Sequence, residues 1–446
     1  MFVIRVESFG VLIWSPNLDS YFLLDPFWGI RDVEEAIKSK TGPIFQNLQT
    51  MGLSENPKII NNPQPNRLSA PLDVYFDYTN LCNLRCPYCY NSHANRETMP
   101  EDRIMRVFEQ LALNGVMRTH LAGGEPMIHP HLFEVYLRAA RDNGLNASVN
   151  SNGTLLNERT LRAVFDYGIM TLTFSLDGPK EIHEKYRGVG NFDRTRKAAR
   201  LAVQEKRKRG LSRPLIQYKA VHMYDTPLGV YEKLIEIGLK DGVDRIQFHN
   251  PECSVHHPRG YYRRREVIEG YYRRLLLLKD LKEKYQNQIE VWIPWNPIVG
   301  CGDIGIPGFH GCIGGQELIA IDPEGNIKPC LMNPYNFGNL FTDADGDFAR
   351  FWKENKRLIE YQNFVNEVDD HCRACDIYSQ CRGGRKSRII TNNRDGQTFT
   401  PIELSQMEGY DPYCALDYLN THKMEIPPKL EKRLGPFRQI YVSHSL

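Results

Sequence analysis

From residue 72 onward the chain repeats one pattern six times: a short apolar stretch of strand character, then a longer helical one. The apolar stretches are 74–78, 118–122, 146–150, 170–176, 216–222 and 245–249. The helical ones are 101–114, 131–143, 157–167, 191–208, 227–240 and 261–285. Strands joined through helices run parallel, because a parallel pair needs a long crossover connection. Right-handed crossovers curl such a sheet into a full or partial TIM-like barrel, here a (β/α)6 unit. Barrels of this kind keep their reactive groups in the loops at the C-terminal ends of the strands.

The flanks read differently. With 446 residues the chain is too long for one small core and suits two or three domains. Residues 1–56 form a small α+β module: strand-like pieces at 1–13 and 21–25 around the turn Ser15-Pro16-Asn17-Leu18-Asp19, then a helical stretch 33–51 broken at Gly42-Pro43. An Asn/Pro-rich stretch follows, so 57–71 reads as a linker to a barrel at 72–292. Beyond it, 293–420 is dense in Gly, Pro and Cys and poor in core material, a composition that bound metal would stabilise. The tail 421–446 carries no motif.

Lys plus Arg number 56 and Asp plus Glu 54, so net charge offers no argument for nucleic acid. The run 259–274 mixes Arg and Tyr, but at helical spacing it reads as a barrel helix with Leu275–Leu278 inside. No apolar run approaches the roughly 20 residues that span a bilayer. No signal peptide opens the chain, and a cytoplasmic location is expected. In a reduced compartment, eleven cysteines in clusters point to metal or catalysis rather than disulfides.

The first cluster is Cys82-x3-Cys86-x2-Cys89, directly after the first barrel strand. Three thiolates in one short loop hold three irons of a cubane and leave the fourth without a protein ligand. The rival is a zinc knuckle completed by His93. Further along come Gly123-Gly124-Glu125-Pro126 after the second strand, Asn150-Ser151-Asn152-Gly153-Thr154 at the end of the third, and Ser175-Leu176-Asp177-Gly178-Pro179 with His183 to Gly188 after the fourth. Cysteines recur as Cys301, Cys312 and Cys330, the last two flanking a hairpin turn at Asp322-Pro323-Glu324-Gly325-Asn326, and as Cys372-x2-Cys375-x5-Cys381 with Cys414. Two structural zinc sites are the alternative for these.

The stretch 72–290 resembles the radical S-adenosylmethionine (SAM) superfamily, whose signature is the C-x3-C-x2-C loop with an aromatic, here Tyr88, before the last Cys. The resemblance implies a SAM-binding [4Fe–4S] cluster on Cys82, Cys86 and Cys89. It implies SAM contacts at Tyr88, Gly123, Gly124, Glu125, Pro126, Ser151, Asn152, Ser175 and Asp177, with Arg187 at the SAM carboxylate. Residues 298–417 resemble the SPASM domain, which implies two auxiliary [4Fe–4S] clusters: Cys301, Cys312 and Cys330 on the first, and Cys372, Cys375, Cys381 and Cys414 on the second. Arg385 stands where the family often has a further Cys, so the first auxiliary cluster would keep an open iron or a non-Cys ligand. Leu331 stands where sulfatase-maturing relatives carry an Asp base, which disfavours formylglycine formation.

These resemblances imply a maturase of a ribosomally made precursor peptide, fed electrons by a reducing partner such as flavodoxin or ferredoxin, with no membrane or nucleic-acid partner. Rival outcomes are a peptide epimerase, with Cys253 beyond the sixth strand as hydrogen donor, and a backbone-excising maturase. Cys253 also reads as an inert loop thiol, and His256 and His257 as acid/base groups or, more commonly for such residues, surface polar positions. A noncatalytic iron–sulfur carrier or peptide binder is the rival from outside enzymology; it has no need of Gly123–Glu125 or Arg187. Residues 1–56 read either as a leader-binding module that adds a peptide as an edge strand or as a cap on the barrel.

Overall fold

A computed structural model describes residues 2–91, 96–223, 226–249, 260–293, 296, 311–367, 369–381, 383–384, 386–393, 402–409, 411–424 and 433–440. At the N-terminus β1 (Val3–Glu7), β2 (Gly10–Ser15) and β3 (Ser20–Leu24) form an antiparallel meander, so the stretch 1–13 is two strands split at Ser8-Phe9. Side chains alternate across it. Ile4, Ile13 and Phe22 pack against Val33 and Leu48 of two helices, Ile30–Ser39 and Gly42–Thr50. Val3, Leu12 and Leu23 pack against Leu68, Leu72 and Met117 at the base of the barrel.

The barrel strands are β5 (Asp73–Phe76), β6 (Arg118–Leu121), β7 (Asn146–Ser151), β8 (Thr171–Ser175), β9 (Leu215–Val221), β10 (Arg245–His249) and β11 (Glu290–Trp292). They lie side by side in chain order and all run parallel. The six expected strands are present and β11, only three residues long, is a seventh. The crossover helices bury one stripe each. In Glu101–Leu113 it is Ile104, Val107, Phe108 and Leu111; in Pro130–Asp142 it is Phe133, Tyr136, Leu137 and Ala140. The i, i+3, i+4, i+7 spacing is that of a helix lying on a sheet.

The C-terminal domain continues the same sheet. β12 (Leu318–Ile321) runs parallel to β5, and β13 (Asn326–Lys328) returns antiparallel to it and pairs with β14 (Gly338–Asn339). Asp322 closes the hairpin by accepting the N–H groups of Glu324 and Asn326 at 3.1 and 2.9 Å. The Trp352 indole N–H, donating to the Leu68 carbonyl at 2.7 Å, ties this domain to the segment before β5.

Two segments without a sequence signal are also paired. β4 (Lys58–Asn61), within the stretch read as a linker, runs parallel to β1. β15 (Arg433–Leu434) and β16 (Phe437–Ile440) in the tail extend the first sheet, β16 lying antiparallel along β3 with Phe437 in the module's core. That sheet reads β15-β16-β3-β2-β1-β4, so its outer strands are β15 and β4. The Tyr21 hydroxyl, donating to the Leu72 carbonyl at 2.8 Å, anchors the module at the N-terminal end of the barrel, away from the loops that follow the strands. Among the described residues no helix is long and apolar enough to cross a membrane.

Candidate active site

The loop leaving β5 carries Cys82, Cys86 and Cys89, with the Cys89 N–H on the Cys86 carbonyl at 3.1 Å. The loop after β6 clasps it. The N–H groups of Gly124 and Glu125 reach the Thr79 and Leu81 carbonyls at 2.9 and 2.7 Å. A Cβ on Gly124 would stand 1.9 Å from the Leu81 oxygen, so only glycine allows this approach. The loop after β7 adds a third tie: Asn152 Nδ2 donates to Asn83 Oδ1 at 2.9 Å, and Asn83 Nδ2 to the Thr154 hydroxyl at 2.8 Å.

These loops and the strand ends line an open cleft. The three cysteines and Tyr88 line it, together with Gly123, Gly124, Glu125, Ser151, Asn152, Ser175 and Arg187. Two expected SAM contacts do not reach it. Pro126 is buried, its carbonyl taking the Tyr78 hydroxyl. Asp177 is buried behind Arg187, accepting Nε at 2.6 Å and Nη2 at 3.4 Å as well as the Tyr88 hydroxyl. Both act on the cleft through a neighbour: a proline closes its turn and a carboxylate aims its arginine.

The ionisable groups at the cleft are largely buried. Burial alone would raise the Asp177 carboxyl, but Arg187 holds it below the usual carboxylate range. Burial pushes the Glu125 carboxyl up, partly offset by the Asn152 N–H at 2.8 Å, the Ser151 hydroxyl at 2.7 Å and the Met127 N–H at 3.1 Å. Burial also lifts the Cys82 thiol to about 11 and Cys89 to about 12, and raises Cys86. Thiols in such surroundings ionise when a cation takes the charge. Donors face the sulfurs: the Leu84 N–H stands 3.4 Å from Cys82 Sγ and Arg187 Nη1 3.9 Å from Cys86 Sγ. Three thiols in one cleft with donors aimed at them fit an iron–sulfur cluster.

In the C-terminal domain Cys372, Cys375, Cys381 and Cys414 line one small cavity. They come from the short helices Asp370–Arg373 and Tyr378–Cys381, the turn between them, and the N-cap of Ala415–His422. Burial lifts Cys372 to about 11 and Cys381 to about 12. The segments that carry Cys312 and Cys330 meet where the Gly315 N–H reaches the Pro329 carbonyl at 3.1 Å, and the charge of each thiolate would disfavour ionisation of the buried Tyr361 hydroxyl. Cys253, Cys301, His93, His256, His257 and Arg385 lie outside the described residues.

The sequence profile of the radical SAM superfamily matches residues 77–216, and that of an iron–sulfur cluster-binding domain, SPASM, matches 312–376. A PqqA peptide cyclase of Ruegeria pomeroyi is 30% identical over 350 residues, spanning 75% of this chain and 87% of that one. The chain belongs to the radical SAM superfamily. As a radical SAM enzyme it uses a [4Fe–4S] cluster and SAM. An AdoMet-dependent heme synthase of Methanosarcina barkeri is 24% identical over 342 residues, 71% of this chain and 92% of that one. Among solved structures, SuiB of Streptococcus suis bound to its precursor peptide SuiA superposes with a TM-score of 0.67 at 16% identity, covering 89% of this chain and 97% of that one.

The cleft of this radical SAM enzyme also holds residues that motifs do not announce. Lys219 and His249 line it from β9 and β10, and Leu331 and Met332 reach it from the C-terminal domain. The first two were visible in the strand alternation. Ile216, Tyr218 and Ala220 alternate with Gln217 and Lys219, and Ile246 and Phe248 with Gln247 and His249. A strand that is apolar on one face and polar on the other, inside a barrel, directs the polar face into the cleft.

Proposed function

We propose that this enzyme is a maturase acting on a ribosomally made precursor peptide, forming a new bond to a side chain or Cα with net loss of two hydrogens. The observation that carries this reading is the shared cleft: the three-cysteine loop, the Gly123–Glu125 loop and Arg187 meet Leu331 and Met332 of the cluster-binding domain in one space. The C-terminal domain therefore forms part of the wall against which a substrate lies. Peptide-acting relatives, the PqqA peptide cyclases and SuiB, match along most of the chain.

Cys82, Cys86 and Cys89 would hold the SAM cluster, and Cys372, Cys375, Cys381 and Cys414 the second auxiliary one. Cys312 and Cys330 with Cys301 would hold the first. When bound, the SAM cluster supplies an electron that cleaves SAM to a 5′-deoxyadenosyl radical able to take hydrogen from strong C–H bonds. The chain's own residues position and exclude. The backbone carbonyls of the Gly123-Gly124 loop would take the SAM amino group, and the buried Glu125, held by the Ser151 hydroxyl and the Asn152 N–H, would keep that loop in place. Arg187, fixed by Asp177, would offer its remaining guanidinium N–H groups to the SAM carboxylate. Tyr88, whose ring lies 5.5 Å from the Arg187 guanidinium, closes the side of the cleft against water. Flavodoxin or ferredoxin is the proposed electron source.

The test is co-production with each short open reading frame found beside the gene, followed by mass spectrometry of the encoded peptide. Loss of two hydrogens supports bond formation. Unchanged mass with deuterium uptake in deuterated water indicates the epimerase, with Cys253 as donor. Loss of a large fragment indicates backbone excision. SAM consumption with no peptide altered overturns the peptide reading.

A further inference from the structure

Bond formation with net loss of two hydrogens releases a proton inside the protein, and no group has yet been assigned to take it. Next to the SAM cleft, between the cysteine loop and the β12–β13 hairpin, lies a second and polar cavity; Tyr90 and Leu331 stand in the walls of both. Four carboxylates line it: Asp77, Asp322, Glu324 and Asp343. Three are committed locally. Asp322 closes the hairpin and pairs with Lys328 at 2.7 Å. Glu324 accepts Asn326 Nδ2 at 2.9 Å. Asp343 accepts the Asn339 N–H and the Thr342 hydroxyl, both at 2.8 Å.

Asp77 differs. It follows β5 and is 5% exposed. Its oxygens receive the Ala122 N–H at 3.3 Å and the Tyr90 hydroxyl at 3.4 Å, both long contacts, and no described cation pairs with it. A Cβ on Gly123 would stand 3.3 Å from the Asp77 carboxyl carbon, so this carboxyl lies directly against the loop that faces SAM. The Tyr90 hydroxyl, on the shared wall, touches both Asp77 and the Gly123 carbonyl.

We propose that Asp77 is the proton acceptor of the peptide-modifying step, and that the substrate reaches it where the polar cavity meets the SAM cleft. The proposal rests on the maturase reading above. In the step a substrate C–H bond gives its hydrogen atom to the adenosyl carbon. A second substrate group X–H gives its proton to Asp77 as the C–X bond forms, and the electron left over passes to a one-electron acceptor of the iron–sulfur class. A buried carboxylate without a cation is relieved of its desolvation cost by taking a proton. Burial lifts Asp77 to about 7; the Ala122 and Gly123 N–H groups restrain that rise, Asp322 adds to it and Lys328 opposes it. Tyr90, Glu324, Asp343 and Arg357 are the other ionisable groups of the cavity.

Two measurements on the reconstituted holoprotein test this. Infrared difference spectra taken across neutral pH should show a protonated-carboxyl band that vanishes with a midpoint near 7 and is absent from Asp77→Asn. A band that persists in Asp77→Asn, or one already lost near the ordinary aspartate value of about 4, overturns the proposal. Asp77→Asn keeps an oxygen for the Ala122 N–H, so its loop contact survives. Its yield of modified peptide per 5′-deoxyadenosine released should fall by about 100-fold or more, the usual span of a lost general base. An unchanged ratio overturns the proposal. Asp77→Glu, which keeps an acid, should retain product with a displaced pH profile; should Asp77→Asn bind no iron, an undisplaced profile in the Glu variant overturns it. Failure to modify any peptide would sink the maturase reading alone, since the infrared titration reads Asp77 without substrate.

Discussion

Two cysteine sites of this molecule are built on opposite plans. In the barrel, Cys82, Cys86 and Cys89 occupy one loop, clasped from beside by the Gly123-Gly124 turn and facing a wide cleft. In the C-terminal domain, Cys372, Cys375, Cys381 and Cys414 are gathered from separate short helices around a small cavity. Three thiols leave a cubane one iron to offer to a ligand, whereas four saturate it. The first plan suits chemistry at an open position. The second suits holding charge and holding the fold together, in a region whose helices are too short to stand alone.

The largest effect that sharpens this contrast is removal of the second site. Replacing Cys372, Cys375 and Cys381 together by Ala should cost about four irons per chain, the content of one cubane. It should abolish modified peptide while 5′-deoxyadenosine release persists. Loss of SAM cleavage in that variant would break the division of labour between the sites.

Next in size is Asp177→Ala. It leaves Arg187 buried without its carboxylate, which costs about 3–5 kcal/mol in comparable buried pairs. Denaturant unfolding would read that loss, and equilibrium binding would read weaker SAM retention. A variant of wild-type stability would mean that Arg187 is not held by this pair. Gly124→Ala should follow at about 1–3 kcal/mol, because its methyl must push the cysteine loop away from the Leu81 carbonyl. The variant should take up less iron in the barrel site while the C-terminal site fills normally. Equal filling of both would show that the clasp does not position the loop.

Last, and expressed only below neutral pH, is an acid effect confined to the barrel. His183 and His222, packed around Asp177, are held neutral by burial, with values lowered to about 4. In the unfolded chain they protonate near about 6.5. Their contribution is therefore complete above that value and is lost as pH falls from there toward 4. Apparent melting temperature should decline over this window, and the decline should shrink in His183→Gln. An unchanged slope would refute the assignment for His183.

How much of this the sequence foretold follows from range. The six expected strands and the cysteine loop are local signals, and the structure places each of them. Glycines 123 and 124 were legible as a motif, but the reason for them, the Leu81 carbonyl, lies on another loop. β4 and β16 were not legible. Four-residue strands have no periodicity to speak of, and their partners β1 and β3 are distant in the chain. β16 bears on the leader-binding alternative: it occupies the outer edge of β3, so a leader peptide added as a strand would have to pair with β4 or β15 or displace the tail. Asp77 carries no signal in the sequence because it sits among apolar strand residues, and only the hairpin folded over it makes a cavity there.

The central claim is that the barrel loop, and not the C-terminal cysteines, starts the chemistry. Iron and sulfide content after anaerobic reconstitution, paired with SAM cleavage, tests it most directly in a variant with Cys82, Cys86 and Cys89 all changed to Ala. The account predicts about twelve irons per chain in the wild type, a loss of about four in the variant, and no 5′-deoxyadenosine from it. A variant that still cleaves SAM, or a wild type holding tightly bound zinc and almost no iron, would contradict it.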